Sequence, residues 1–208
     1  MPGVHGPQCG CVHEIDLKGA QFLLPYINLE GIRGLNEQVQ NSARTIFKSY
    51  EDRLDETKFC RSEEDDPELM IHIPFKSPCK ISSLHLIGGD NGRSPASVKI
   101  YADQENLDFS TVHDTPCIQE VELVTDFHGA VEYPLKVTKL QNVTCLTLFF
   151  PQNMGGDFLE LFYIGLRGEG SNYQRRAVVT VYEANANPAD HEVASEHGVQ
   201  ATALEEGN

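Results

Sequence analysis

The chain has 208 residues, among them 11 prolines and 17 glycines, and carries a formal charge of −15 at pH 7. That length holds one well-buried core with tails and is short for two domains, while the Pro and Gly content without a sustained helical period argues against a helical bundle. The charge weighs against general affinity for nucleic acid or an anionic membrane, whose phosphates would repel it; it suits docking on a basic protein surface, or simply a solvated acidic face.

In chain order, residues 1–20 mix Gly, Pro, His and Cys without periodicity and read as a flexible tail. Residues 22–29 carry apolar groups that read as a strap or short helical turn laid against a core. A polar connection follows and ends in a short predicted strand at Ile46-Phe47. Acidity then peaks at 51–52, 55–56 and 63–66. Between 69 and 75 the apolar Leu69, Ile71, Ile73 and Phe75 alternate with Met70, His72 and Pro74, which predicts a half-buried strand with His72 facing solvent.

Further strands are predicted at 80–87, 97–101, 118–123, 130–135, 143–150, 161–167 and 178–182. His85 lies on a solvent-side position, and turn residues at 88–92, 126–129 and 153–157 separate several of these segments. Short strands at such spacing indicate an all-β antiparallel sandwich or barrel. The predicted organisation is a tail (1–20), one domain (21–191) and a disordered acidic tail (192–208). No stretch reaches bilayer length, and the N-terminus lacks a basic region followed by an apolar run. The expectation is a protein of the cytoplasm, extending to the nucleus, with no membrane partner. Its six cysteines are then expected to be reduced, and the Asn142-Val143-Thr144 sequon incidental.

The motifs that could carry chemistry mostly fail on spacing. His5, Cys9, Cys11 and His13 offer four soft or borderline ligands in nine residues, but Cys-x-Cys lacks the gap of a zinc knuckle and no second knuckle follows. Incidental residues on a flexible tail are the plainer reading, so no metal is expected. Around His191, Ser195 stands where a zincin would need its second His, and Val193 where the inverted motif would need one. There is no Gly-x-Ser-x-Gly elbow, phosphate-cradling loop or Cys-x-x-Cys. His72, His85, His113 and His128 have no carboxylate or serine partner at a recognisable spacing. No catalytic residue and no cofactor are expected.

Several ordered blocks resemble the PITH (proteasome-interacting thioredoxin) domain family across about residues 22–191. They are Ile27-Asn28-Leu29-Glu30 with Leu35-Asn36-Glu37, residues 62–66 leading into 69–75, and Ser94-Pro95 with Val98-Lys99-Ile100-Tyr101. Further on come residues 142–153, Tyr163-Ile164-Gly165-Leu166-Arg167-Gly168 and the closing 182–191 with Asn187-Pro188-Ala189-Asp190-His191. The chain departs from the family pattern at Gly34, where Cys is frequent, and at Ala102-Asp103, where Asn is frequent. The resemblance implies a jelly-roll β-sandwich akin to galactose-binding and Doc domains. It also implies association with the 26S proteasome, through its regulatory particle.

The resulting expectation is a monomeric, non-catalytic protein-interaction module docking on the proteasome or another ubiquitin-pathway assembly. Binding groups on such a sandwich sit on loops at one end, which selects Asp90, Asn91 and Arg93 in one loop, Asn153 and Asp157 in another, and Arg167 at a strand end. Turn chemistry alone is the competing explanation for each of them. A carbohydrate- or small-ligand-binding module is the alternative the architecture permits; the absence of Trp weighs against a sugar platform.

Overall fold

The computed structural model describes residues 20–170. The predicted strand at 178–182, the N-terminal His/Cys set and the tail at 192–208 lie outside the described residues. Nine strands run through the described part: β1 (Gln21–Phe22), β2 (Arg33–Leu35), β3 (Cys60–Arg61), β4 (Leu69–Gly88), β5 (Ser97–Ala102), β6 (Gln119–Glu122), β7 (Glu132–Pro134), β8 (Val143–Phe150) and β9 (Glu160–Gly170). All pairings are antiparallel, in the order β1-β9-β4-β8-β5-β6, with β2 and β7 also on β4 and β3 on β9. The sheet curls into the jelly-roll sandwich expected from strand spacing and resemblance. No α-helix occurs among the described residues. Short 3₁₀ turns lie at Leu24–Tyr26, Leu29–Gly31, Ser42–Ile46 and Val137–Lys139.

The predicted strands at 69–75 and 80–87 are one 20-residue strand. Its first half pairs with β2 and β8, its second with β7 and β9. The register against β8 breaks between Pro74 and Cys79. Pro74 and Pro78 have no N–H to give a ladder, so the break falls where pairing is already weakened. A single strand thereby serves two sets of partners and closes the sheet around its core. The strap at 22–29 forms as β1 and two 3₁₀ turns. The strand expected at Ile46-Phe47 does not form: Ile46 ends the Ser42–Ile46 turn and both side chains are buried in the core.

Leu69, Ile71 and Ile73 enter the main core with Val98, Ile100, Leu146, Leu148 and Phe150, as the alternation predicts. The opposite face is not solvent. Met70, Tyr101 and Phe149 form a second cluster with Leu107 and Val112, supplied by the segment between β5 and β6. His72 is buried there, its Nδ1 2.9 Å from the Oγ1 of Thr147, its partner in the ladder. His85 is buried too, with the rings of Phe22 and Tyr50 at 5.8 and 6.2 Å. Both histidines were expected on the solvent side. Alternation reports which residues share a face, and cannot report a distant segment folding over that face.

Asp103, at the second family departure, holds a left-handed φ of 56°. Its Oδ1 accepts the backbone N–H of Thr144 (2.8 Å) and Cys145 (3.2 Å) and the Thr144 hydroxyl (2.7 Å). Asp and Asn share both this conformation and this acceptor geometry, so the turn does not need Asn.

Candidate functional site

Three loops leave the same end of the sandwich: 89–96 between β4 and β5, 123–131 between β6 and β7, and 151–159 between β8 and β9. The ladder fixes this, because Gly88 lies opposite Leu161, Ser97 opposite Glu122 and Lys99 opposite Phe149, and Pro95 bridges to Asn153. Backbone hydrogen bonds then tie loop to loop. Gly89 N–H donates to Glu160 O (2.9 Å), Glu160 N–H to Arg93 O (2.9 Å), Met154 N–H to Ser94 O (3.0 Å) and Leu123 N–H to Ala96 O (2.9 Å). Gly156 N–H donates to Gly92 O at 3.0 Å. Gly92 has φ +81°, and a Cβ there would lie 2.9 Å from the Gly156 nitrogen, so only glycine allows this approach.

Five of the six residues selected from sequence meet at this end. Asp90 is exposed, and its carbonyl accepts Arg93 N–H at 2.9 Å to close the turn. Asn91 occupies the left-handed position of that turn at φ 51° and is exposed. Arg93 turns inward, stacking 4.6 Å over the Phe158 ring with Nη1 3.8 Å from Glu160 Oε2. Asn153 is an internal brace: its Nδ2 donates to the carbonyls of Gly156 (2.8 Å) and Phe158 (2.9 Å), while its Oδ1 accepts Gly155 N–H. Asp157 is exposed, and its carbonyl accepts Asp65 N–H at 3.1 Å, which draws the acidic run at 63–66 to this end.

Arg167 stands apart. Its Nη1 lies 3.2 and 3.3 Å from the Glu132 carboxylate oxygens, and Nη2 donates to Ala20 O at 3.0 Å. Its guanidinium carbon is 5.5 Å from the Phe22 ring centre. It therefore anchors the β1 strap across β9 and ties it to Glu132, the first residue of β7. His85 Nε2 is 3.7 Å from the same Glu132 carboxylate, beyond hydrogen-bond reach.

Several residues of the loop end were not selected from sequence. Glu160 is 3% exposed at its side chain, and its Oε1 accepts the Arg61 Nε at 2.6 Å. Arg61 lies over the rings of Phe59 (4.5 Å) and Phe158 (5.2 Å). Two guanidiniums thus lie against the Phe158 ring and share one buried carboxylate. Asp126 Oδ1 accepts the N–H of His128 (2.8 Å) and Gly129 (3.0 Å), and its Oδ2 that of Val131 (2.7 Å). Burial alone would push the Asp126 carboxyl up, but these N–H groups together with that of Ala130 outweigh it and hold the group below the usual carboxylate range.

Val124, Phe127 and Met154 are 58%, 50% and 38% exposed. The sequence signal was present in an aromatic residue inside a predicted turn at 126–129. An open groove of about 580 Å³ is lined by Ala96, Ser97, Glu120, Glu122, Leu123 and Gln152, from all three loops and the strands that lead into them. Among the described residues, no group of three or more His, Cys, Asp or Glu is placed to hold a metal ion.

Comparison with known proteins gives a family and a fold. The PITH domain model matches residues 13–186. PITH domain-containing protein 1 of Dictyostelium discoideum is 41% identical over 180 residues, covering 86% of this chain and 88% of that protein. The Homo sapiens protein of the same name is 36% identical over 194 residues, covering 90% and 91%. Among solved structures, the chain resembles the CBM32-1 and CBM32-2 domains of Clostridium perfringens ZmpB, with TM-score 0.53 and 12% identity, over 76% of this chain and 40% of that one. It also resembles a family 89 glycoside hydrolase from Clostridium perfringens, with TM-score 0.52 and 14% identity, over 76% and 16%. Identities this low speak for the fold and carry no ligand with them.

Proposed function

Because the chain belongs to the PITH domain family, we propose that it is a non-catalytic protein-interaction module that associates with the 26S proteasome, through its regulatory particle, or with another ubiquitin-pathway assembly. The observation that carries the reading beyond family membership is the braced loop end. Three loops are cross-linked by backbone hydrogen bonds and by the Arg61–Glu160–Arg93 cluster, while Asp90, Asn91 and Asp157 point outward from them. A surface held this way loses little conformational freedom when a partner docks. Asn153 and Arg93 shape it from within, and Arg167 supports the strap elsewhere.

The test is affinity purification of the tagged full chain from cell lysate, with and without cross-linking. Enrichment of regulatory-particle subunits is expected. Their absence in the cross-linked sample would overturn the proteasome assignment.

A further inference from the structure

Building on the reading of this end as a protein-docking surface, we propose that the loop end binds a basic protein segment that inserts an apolar side chain between Val124, Phe127 and Met154. Two independent observations meet here. The first is apolar exposure. Val124 and Phe127 flank Asp126, whose three short hydrogen bonds hold their loop in one shape. Met154 belongs to the neighbouring loop and is joined to this one by Thr125, whose hydroxyl lies 3.1 Å from the Met154 sulfur. Large apolar side chains gathered on rigid loops, with polar groups around them, form the core-and-rim pattern of a binding surface.

The second observation is the sign of the rim. Glu120 and Glu122 line the open groove, and Asp157 draws the acidic run at 63–66 to the same loop end, all of them exposed. The cations nearby are few. Arg61 and Arg93 face the buried Glu160 carboxylate, Lys99 stands opposite Glu120 in the β5–β6 ladder, and Arg53 is held by the carbonyls of His128 and Tyr50 and the Tyr50 ring. Glu122 has Ser97 opposite it and no cation across the ladder. A partner bearing Lys or Arg on both sides of an apolar anchor satisfies this arrangement. An acidic segment or a nucleic acid would be repelled by the rim and by the −15 charge of the whole chain.

The experiment places a photo-crosslinking amino acid at Phe127 in the full chain, with the same probe at Leu29 as control. Leu29 is also exposed, but its turn hydrogen-bonds to Pro74, at the other end of the first half of β4. Adducts formed in lysate are mapped by mass spectrometry to partner segments. Position 127 is expected to give adducts on Lys/Arg-rich segments and position 29 few or none. Replacing both groove carboxylates (E120Q/E122Q) should lower the yield about fivefold at low salt, and raising ionic strength should do the same. The double substitution V124S/M154S should lower it about tenfold. All four positions are exposed, and circular dichroism is the check that each variant folds.

Equal yields at 127 and 29, or adducts on acidic or neutral segments, would overturn the proposal. Basic segments belonging to non-proteasomal proteins would uphold it and overturn the proteasome assignment instead. Proteasomal adducts on acidic segments would do the reverse.

Discussion

The Glu160 carboxylate stands 2.6 Å from the Nε of Arg61, and this contact joins β9 to β3 at the point where the loop end begins. Arg93 approaches the other carboxylate oxygen at 3.8 Å from the β4–β5 loop. One buried acid thus organises two cations that the chain separates by 32 positions. Glu160→Ala would leave Arg61 without this counter-charge and Arg93 with only the exposed Asp90 carboxylate at 3.9 Å. Because both are one-third exposed, water recovers part of the loss. Urea denaturation at pH 7 should show about 1–3 kcal/mol of destabilisation. Hydrogen exchange should rise first at the amides of Gly89 and Gly156. A change below a few tenths of a kcal/mol would mean the cluster is not a brace.

Asp126→Ala removes the acceptor of three backbone N–H groups in one step. Leaving them unsatisfied should cost about 1–3 kcal/mol. The pH dependence follows from the depressed carboxyl. The folded state favours the ionised form, so this stabilisation is full above the unfolded carboxylate value of about 3.9 and is lost as pH falls through the lower folded value. Denaturation midpoints of wild type and variant should therefore converge at strongly acidic pH. A constant difference between them would contradict the assignment.

The buried His85 makes a second pH prediction. Burial lowers its pKa, outweighing the neighbouring Glu132, which raises it; the Gly129 carbonyl also raises it and Arg167 lowers it. The folded state therefore binds fewer protons than the unfolded one. Its stability is full above the unfolded histidine value of about 6.5 and declines as pH drops below that, until the lower folded value is passed. His72, lowered by burial and by Arg33, acts in the same direction. His85→Phe, placed tilted to Phe22 and edge-on to Tyr50, should flatten the fall in melting temperature between about pH 6.5 and 5. An unchanged pH slope would show that His85 contributes nothing to acid sensitivity.

Thiol chemistry separates the cysteines. Burial pushes the Cys60 thiol up to about 12, with Glu37 adding to it and the Ser42 hydroxyl opposing. Burial raises Cys145 as well, helped by Glu105 and Asp103. Cys117 is only half-buried. Since the thiolate is the nucleophile, iodoacetamide at mildly alkaline pH should label Cys117 in the native protein. Cys60 and Cys145 should react only after denaturation. Native labelling of Cys60 would contradict its burial.

The sequence carried the fold further than the site. β8 was legible to the residue because Val143–Phe150 is a run of Val, Thr, Leu and Phe with one Cys, bounded by Asn142 and Pro151. The two-residue strands β1 and β3 were not legible, since their pairing comes from β9 and not from any local pattern. The outer-face burial of Met70, His72 and His85 was hidden for the same reason: the covering groups lie far along the chain. At the loop end, turn chemistry placed Asp90, Asn91, Asn153 and Asp157 in loops, where the structure has them. Arg61 and Glu160 were invisible because 98 residues separate them and neither stands in a motif. Arg167 had a residue type that invites a binding role, yet its charge goes to Glu132 and the strap.

The most direct test of the central claim is co-sedimentation of the full chain with purified 26S proteasome at low salt, wild type against a variant carrying V124S, F127S and M154S. The account predicts that wild type sediments with the particle, that the triple variant remains in the supernatant while folded, and that raising the salt releases the wild type. Absence of wild-type co-sedimentation would contradict the proteasome assignment, and equal sedimentation of the two proteins would contradict docking through the loop end.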